Sequence, residues 1–235
     1  MRETQLCWRC LLVVMLWACI AVGLWAQPAP LKTTTEWRDS LARLNDSIRR
    51  YPHNTDFRLK KAAVNIELFQ WEYAIEEYGR VLQQDSRNLA ALYYRAYAYV
   101  NLQRYDLARR DYETFLGIMP RHFEAQIGLA MVKRKMGRQL ETIEELNRLV
   151  QMFPDSAVAY AARAGYETEL KQYDAAIFDW DEALRLRPKN TEFLVSKVDV
   201  LLLQGRHEEA WHLLEDAMKA GVPRSVLKPW IDRCK

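Results

Sequence analysis

Histidine and glutamate residues near the C-terminus are the first candidates for chemistry in this sequence. His207 and His212 flank Glu208 and Glu209, an order close to the zinc-protease motif, in which two histidines lie four residues apart on one helix face. Here the spacing is five residues, and at about 100° per residue the second imidazole is turned roughly 140° away from the first. The two histidines therefore cannot hold one metal ion, and helix N-termini favour the negative charge of the glutamates. We predict no metal site.

No other group of residues suggests catalysis or cofactor binding. The eight glycines are scattered and form no phosphate-binding loop, and the four histidines stand in no recognisable arrangement with a serine or cysteine nucleophile. Three of the four cysteines lie within the first 19 residues, which leaves Cys234 alone in the rest of the chain. If the N-terminal segment is removed as a signal peptide, Cys234 is left without a second cysteine and the mature chain can form no intrachain disulfide. We therefore predict a protein without a cofactor that is not an enzyme, and we keep an enzyme as an alternative.

Composition points to a folded protein that does not bind nucleic acid. Half of the 235 residues are hydrophobic, so the chain can bury a substantial core. Its 34 lysines and arginines and 31 aspartates and glutamates leave a net charge of +3. These charges are interspersed along the chain, whereas a nucleic-acid binder concentrates basic residues on one surface.

The N-terminus has the order of an export signal. Arg2 and Arg9 precede an apolar run of 16 residues, Leu11 to Ala26, and a Gln-Pro-Ala-Pro sequence follows. At roughly 1.5 Å per residue such a helix reaches about 24 Å, which is short of the ~30 Å hydrocarbon core of a bilayer. We predict a cleaved signal peptide over residues 1–26, a linker over 27–35, and a periplasmic or secreted protein. Because Leu24 stands where cleavage prefers a small residue, a membrane anchor formed by residues 11–26 is the alternative.

A repeat of 34 residues organises the remainder of the chain. Pro120, Pro154 and Pro188 are spaced at this interval and, placed at position 32, define the repeats 55–88, 89–122, 123–156, 157–190 and 191–224. Positions 8 and 20 are occupied mainly by alanine, while position 24 is large and apolar in every repeat. Small residues allow two helices to cross closely, and positions 20, 24 and 27 share one helix face. Each repeat is therefore expected to form two helices, of which the second ends before the proline.

These positions resemble the tetratricopeptide repeat family, and the resemblance covers 170 of the 235 residues. It implies an all-α fold, a right-handed solenoid of five helix-turn-helix repeats. Apolar stripes predict a capping helix at each end, over residues 36–52 and 225–235. Position 7 departs from the family, since Lys61, Arg95, Arg163 and Lys197 stand where leucine is usual. We expect their aliphatic stems to pack while their charges reach water.

In proteins of this family, positions 2, 6, 9 and 13 of the first helices line a concave groove in which ligands lie. We call these residues the first-helix row; its centre is apolar here, and its two ends carry acidic residues. The clamp of Lys, Arg and Asn that holds a C-terminal carboxylate in well-known members is not reproduced, because Leu59, Tyr94 and Tyr97 stand at its positions. The predicted partner-binding residues are Tyr94, Tyr97, Asn101, Met131, Lys135, Val158, Ala162 and Glu169.

The resemblance and the export signal together predict a non-catalytic adaptor of the cell envelope. Its partner is expected to be another protein that presents an apolar segment with basic ends, and not a nucleic acid or a small-molecule cofactor. A membrane is a partner only if the N-terminal segment is retained. A structural subunit of an envelope assembly is the alternative. Equally open is whether Tyr94, Tyr97 and Met131 contact a ligand or pack between neighbouring repeats.

Overall fold

Twelve α-helices and no strand make up residues 33–234, the part of the chain that this computed structural model describes. The predicted signal peptide and most of the predicted linker lie outside the described residues. From Trp37 onward the described residues form one compact unit. In chain order the helices are α1 (Thr34–Arg50), α2 (Thr55–Glu67), α3 (Trp71–Gln84), α4 (Leu89–Asn101), α5 (Tyr105–Ile118), α6 (Phe123–Lys135), α7 (Gln139–Met152), α8 (Ala157–Glu169), α9 (Tyr173–Leu186), α10 (Thr191–Leu203), α11 (His207–Lys219) and α12 (Arg224–Ile231).

The helix boundaries repeat with the predicted period. First helices begin at residues 55, 89, 123, 157 and 191, and second helices begin at 71, 105, 139, 173 and 207. From α2 to α11, each helix packs against the next one along the chain. The fold is therefore an all-α solenoid of five helix-turn-helix repeats, as the sequence predicts. No helix within residues 33–234 combines the length and the apolar character needed to cross a bilayer.

Each first helix begins after a residue whose side chain caps it. The side chain accepts a hydrogen bond from the backbone N–H three residues later, at 3.0–3.3 Å. Such a bond satisfies one of the four N–H groups that lack a partner at a helix start. The capping residues are Asn54, Asn88, His122, Ser156 and Asn190, each just before a repeat.

The turn between the two helices of a repeat depends on one left-handed residue at position 15. All five repeats have a positive φ there, between 56° and 72°. Only two of these residues are glycines, and the others adopt a backbone conformation that costs an L-residue roughly 1–2 kcal/mol. The five residues are Phe69, Gln103, Gly137, Lys171 and Gly205.

The core is built from the positions at which the sequence repeats. All residues at positions 8, 20, 24 and 27 of the five repeats are buried, none more than 7% exposed. Alanine or another small residue at positions 8 and 20 lets the two helices of a pair approach closely, and the larger residues at position 24 fill the space between repeats. At the C-terminal end, α12 buries Leu227 and Ile231 against the last repeat.

The basic residues at position 7 do not behave as expected. Their charges do not simply reach water, because three of them bind a buried carboxylate at position 23, on the second helix of the same repeat. The nitrogen–oxygen distances are 2.6–2.9 Å. These pairs are Lys61 with Glu77, Arg95 with Asp111, and Arg163 with Asp179. Removal of one partner from such a buried pair typically costs 3–5 kcal/mol, because the other charge is left uncompensated.

In the two remaining repeats, the basic residue and its carboxylate partner come from a different combination of positions. In the third repeat Leu129 occupies position 7, and Lys133, one turn further along the helix, binds Glu145 at 2.8 Å. In the fifth repeat Lys197 binds Asp181 of the preceding repeat at 2.6 Å. The first four repeats therefore each contain an ion pair next to their core, whereas Lys197 of the fifth repeat pairs with an exposed carboxylate of the fourth.

Candidate partner-binding surface

The eight predicted partner-binding residues all retain solvent exposure. Tyr94 is 46% exposed, Asn101, Lys135 and Glu169 are exposed, and the other four residues are half-buried. They lie on α4, α6 and α8, the first helices of the second, third and fourth repeats. The structure thus places them at the surface of the helix array, and their binding of a partner stays a prediction.

Tyr94 is held in place by other aromatic side chains. Its ring stacks on the buried ring of Tyr78, with centroids 6.2 Å apart and an interplanar angle of 17°. Tyr93 contacts it edge-on at 5.2 Å. Burial raises the pKa of Tyr78 far above its ordinary value, so this supporting ring stays neutral. Tyr94 therefore packs between repeats and also presents nearly half of its surface to solvent. Packing between repeats is thus observed, and contact with a ligand stays a prediction.

Two aromatic residues outside the first-helix row extend the surface around Tyr97. Trp71, the first residue of α3, contacts Tyr97 edge-on at 5.9 Å, and Phe69 contacts Trp71 in the same way at 5.7 Å. Phe69 is 76% exposed and has a left-handed backbone. Sequence reasoning missed both residues because they belong to the preceding repeat. Their positions, at the turn and at the start of the second helix, would have indicated contact with the next first helix.

The charges of the row are less negative than the sequence suggests. Glu169 forms a bidentate ion pair with Arg134 of the preceding repeat, and Asp199 pairs with Arg233 near the C-terminus. Asp56, Glu67 and Glu192 form no hydrogen bond or ion pair within residues 33–234. Uncompensated negative charge therefore lies at the two ends of the row, in the first and fifth repeats.

The first-helix row lacks a side chain at a central residue, Gly128. Gly128, at position 6 of the third repeat, is buried against the side chain of Tyr112. A Cβ atom at this residue would lie 2.7 Å from the Cζ atom of Tyr112, closer than carbon atoms approach in proteins. No side chain stands out from the row at this residue, which leaves a gap in the row between Tyr94 and Ala162. Asn101 donates a hydrogen bond to the Tyr97 carbonyl oxygen at 2.9 Å.

Comparison with known proteins identifies the family. The sequence profile of the tetratricopeptide repeat family matches residues 70–120, 95–157 and 169–225, which is more than half of the chain. The chain belongs to the tetratricopeptide repeat family. Proteins of this family are protein–protein interaction adaptors, and they typically carry no catalytic site.

Relatives and solved structures agree with this assignment. A DnaJ homolog subfamily C member 7 homolog from Dictyostelium discoideum is 23% identical over 212 residues, which cover 83% of this chain and 39% of that protein. The Hsp70-Hsp90 organizing protein 3 of Arabidopsis thaliana is 24% identical over 165 residues, 69% of this chain and 25% of that protein. The chain thus spans well under half the length of these two relatives.

Two crystal structures share the fold of this tetratricopeptide repeat protein. A tetratricopeptide repeat protein from Parabacteroides merdae has a TM-score of 0.59 and 21% identity, over 85% of this chain and 78% of its own. YrrB, described as a TPR protein with an unusual peptide-binding site, has a TM-score of 0.59 and 17% identity, over 76% of this chain and 92% of its own. At these identities the likeness extends to the fold alone.

Proposed function

We propose that this tetratricopeptide repeat protein is a non-catalytic adaptor of the cell envelope that binds an apolar segment of another protein along its first-helix row. The observation that carries the proposal is the exposed ring of Tyr94, stacked on buried Tyr78. A large aromatic side chain that is already fixed loses little conformational freedom when a partner covers it. Aromatic residues of this kind contribute disproportionately to protein interfaces.

The aromatic surface gives the partner a defined place to bind. Tyr94, Tyr97, Trp71 and Phe69 lie on the first two repeats, while Met131, Val158 and Ala162 continue the apolar surface into the third and fourth. The partner segment is proposed to place its apolar side chains on the aromatic group. It then follows the row towards the fourth repeat.

The ends of the row favour basic residues in the partner. Asp56 and Glu67 in the first repeat and Glu192 in the fifth are unpaired within the described part of the chain. Glu169 is a weaker candidate than the sequence suggests, because Arg134 already offsets its charge. Charges at the rim of an interface act mainly on the association rate and its salt dependence. The double change of Asp56 and Glu67 to serine should therefore slow association chiefly at low salt.

Export of the protein is part of the proposal and rests on the order of charged, apolar and polar residues at positions 1–30. A periplasmic or secreted adaptor is proposed, with a membrane anchor over residues 11–26 as the alternative. Intact mass spectrometry of protein recovered from the native host tests this point. A mature chain that begins near Gln27 supports cleavage, and a membrane-embedded chain that begins at Met1 contradicts it.

Site-specific photo-crosslinking tests the binding surface. A benzophenone amino acid at position 94 is expected to crosslink the native partner, whereas the same group at position 178 is not. Phe178 is a suitable control because it is 61% exposed on α9, a second helix. In affinity purification from the host, the double change Tyr94→Ala and Tyr97→Ala should remove the crosslinked partner, and Phe178→Ala should retain it. Undiminished capture by the double variant would show that the row is not the binding surface.

A structural subunit of an envelope assembly is the second candidate. Four large apolar side chains that do not belong to the first-helix row are exposed on second helices: Tyr73, Leu107, Leu140 and Phe178. Contacts with other subunits would cover such residues. Gel filtration with light scattering separates the two candidates, because an adaptor is expected to be monomeric without its partner. Crosslinking from position 178 rather than 94 would favour the subunit.

A further inference from the structure

A second surface of the protein has the features of a ligand site. A cleft of about 380 Å³ opens between α1 and α3, with α2 as its floor. It lies on the first repeat and the preceding helix, and it contains none of the predicted partner-binding residues. Its lining includes Leu41 and Ile48 of α1, Arg58, Lys61 and Asn65 of α2, and Glu77 of α3.

The floor of this α1–α3 cleft carries one positive charge that no acidic residue compensates. Glu77 accepts hydrogen bonds from Arg58 Nη1 at 3.0 Å and from Lys61 Nζ at 2.9 Å, so that one carboxylate serves two cations. Burial opposes ionisation of Glu77, but the hydrogen bonds and the positive charges of Lys61 and Arg58 together outweigh it and hold the pKa of Glu77 below its ordinary value. Arg80 and Glu76, which also line the cleft, pair with each other. A buried net charge is unfavourable unless a counter-charge is present.

Two residues that line the cleft, Arg58 and Asn65, each have a buried donor atom without an acceptor in the described part of the chain. Asn65 is 2% exposed and its Nδ2 group makes no hydrogen bond. Arg58 donates from Nη1 to Glu77 and from Nη2 to the Pro52 carbonyl oxygen, while its Nε group is buried without a partner. Buried donors are nearly always satisfied in native proteins, so these two groups are available to an acceptor from outside the chain.

In the second repeat the ion pair between positions 7 and 23 has balanced charges, and position 4 is the apolar Leu92. Arg95, at position 7, donates hydrogen bonds from Nε and Nη2 to the two carboxylate oxygens of Asp111, at 2.7 and 2.8 Å. The charges there are equal, and neither nitrogen of the pair lacks an acceptor. Position 11, occupied by Asn65 in the first repeat, is Tyr99 in the second. The pair in the second repeat thus carries no excess charge, unlike the cluster in the first repeat.

We propose that the α1–α3 cleft binds a small organic carboxylate with an apolar body. The carboxylate accepts hydrogen bonds from Arg58 Nε and Asn65 Nδ2, and its charge balances the excess cation. The apolar body lies against Leu41 and Ile48. The cleft volume falls within the range of about 300–1,000 Å³ that is typical of small-molecule sites. This site uses positions 4 and 11 of a first helix, a different face from the first-helix row.

Calorimetric titration of the full chain with octanoate tests the proposal. Octanoate is expected to bind saturably at millimolar concentration, whereas octan-1-ol, which has the same chain and no carboxylate, is not. The change Asn65→Leu should weaken octanoate binding about tenfold or more, the usual effect of losing a hydrogen bond to a charged group. Tyr99→Phe, a polar deletion at the matched position of the next repeat, should leave the affinity unchanged.

A second variant keeps the test decisive if Asn65→Leu alters folding. Leu41→Glu places a carboxylate on the wall of the cleft, where it competes with the ligand, and should also abolish octanoate binding. Equal affinity for octan-1-ol and octanoate would overturn the proposal, because the cleft would then recognise only apolar surface. It is equally overturned if octanoate does not bind, or if Asn65→Leu binds it as the wild type does.

Discussion

A buried carboxyl group in the fourth repeat should make the stability of this protein depend on pH near neutrality. Glu167 on α8 is 8% exposed and lies beside Asp179 of α9, which is 1% exposed. Arg163 donates hydrogen bonds of 2.6 and 2.7 Å to Asp179, whereas its distance to the Glu167 carboxylate is 3.9 Å. Burial, followed by the negative charge of Asp179, raises the pKa of Glu167 from 4.5 to about 7.

The sign of the effect follows from comparing the folded and unfolded states. Below pH 4.5 the carboxyl group of Glu167 is protonated in both states and causes no loss of stability. Between 4.5 and about 7 the unfolded chain loses this proton first, so stability falls as the pH rises. At about 1.4 kcal/mol per unit of pKa, the full rise corresponds to a loss of about 3 kcal/mol above neutrality. Glu167→Gln cannot ionise, and it should be more stable than the wild type by about this amount at about pH 8.

Urea unfolding followed by circular dichroism over this pH range measures the effect. The difference in unfolding free energy between Glu167→Gln and the wild type should be small near pH 4.5 and should grow up to about pH 7. Glu144→Gln is the matched control, because Glu144 is an exposed carboxylate on α7 without a partner in the described part of the chain. A difference that stays constant with pH, or a Gln variant that is less stable above neutrality, would refute the reasoning.

Three further changes test the fold. Lys171 has a left-handed backbone with φ 60°, and Lys171→Gly removes the strain of that conformation. Because glycine also costs more conformational entropy on folding, the net stabilisation in a thermal melt should be at most about 1 kcal/mol. Asn88→Ala removes the hydrogen bond to the Ala91 N–H and should cost about 1 kcal/mol in urea unfolding, while Asn88→Gly should cost only a few tenths. Gly128→Ala forces a Cβ atom against Tyr112 and should cost about 1–3 kcal/mol; an unchanged melting temperature would show that the ring moves freely.

The repeat phase could be predicted because local rules and packing agree on it. Proline spacing fixes where second helices end, and alanine at positions 8 and 20 fixes where the helices cross. A shift of one residue in this phase would place Ala96 and Ala176 on the surface, whereas both are 0% exposed. The left-handed turn was only partly visible in the sequence. Gly137 and Gly205 mark it in two repeats, but Phe69 and Lys171 occupy the same position without any local signal.

The ion pairs could not be predicted from single positions. Arg95 looks like a solvated surface residue until the second helix is docked, because its partner Asp111 lies 16 residues later. The signal was nevertheless present, since basic residues at position 7 recur in phase with acidic residues at position 23. In the third repeat the basic residue moves to Lys133 while Glu145 remains. Such a pattern becomes informative only after the packing of the helix pair is known.

The separation of buried and exposed positions decides how changes in the first-helix row can be interpreted. Tyr78 is 1% exposed and belongs to the core, whereas Tyr94, stacked on it, is 46% exposed. Truncation of Tyr94 therefore removes part of the proposed binding surface and leaves the core ring in place, so loss of partner capture would reflect the surface itself. Gly128 is the exception, because the row meets the core there through Tyr112. A change at Gly128 alters packing and surface together, and for that reason it tests stability and not binding.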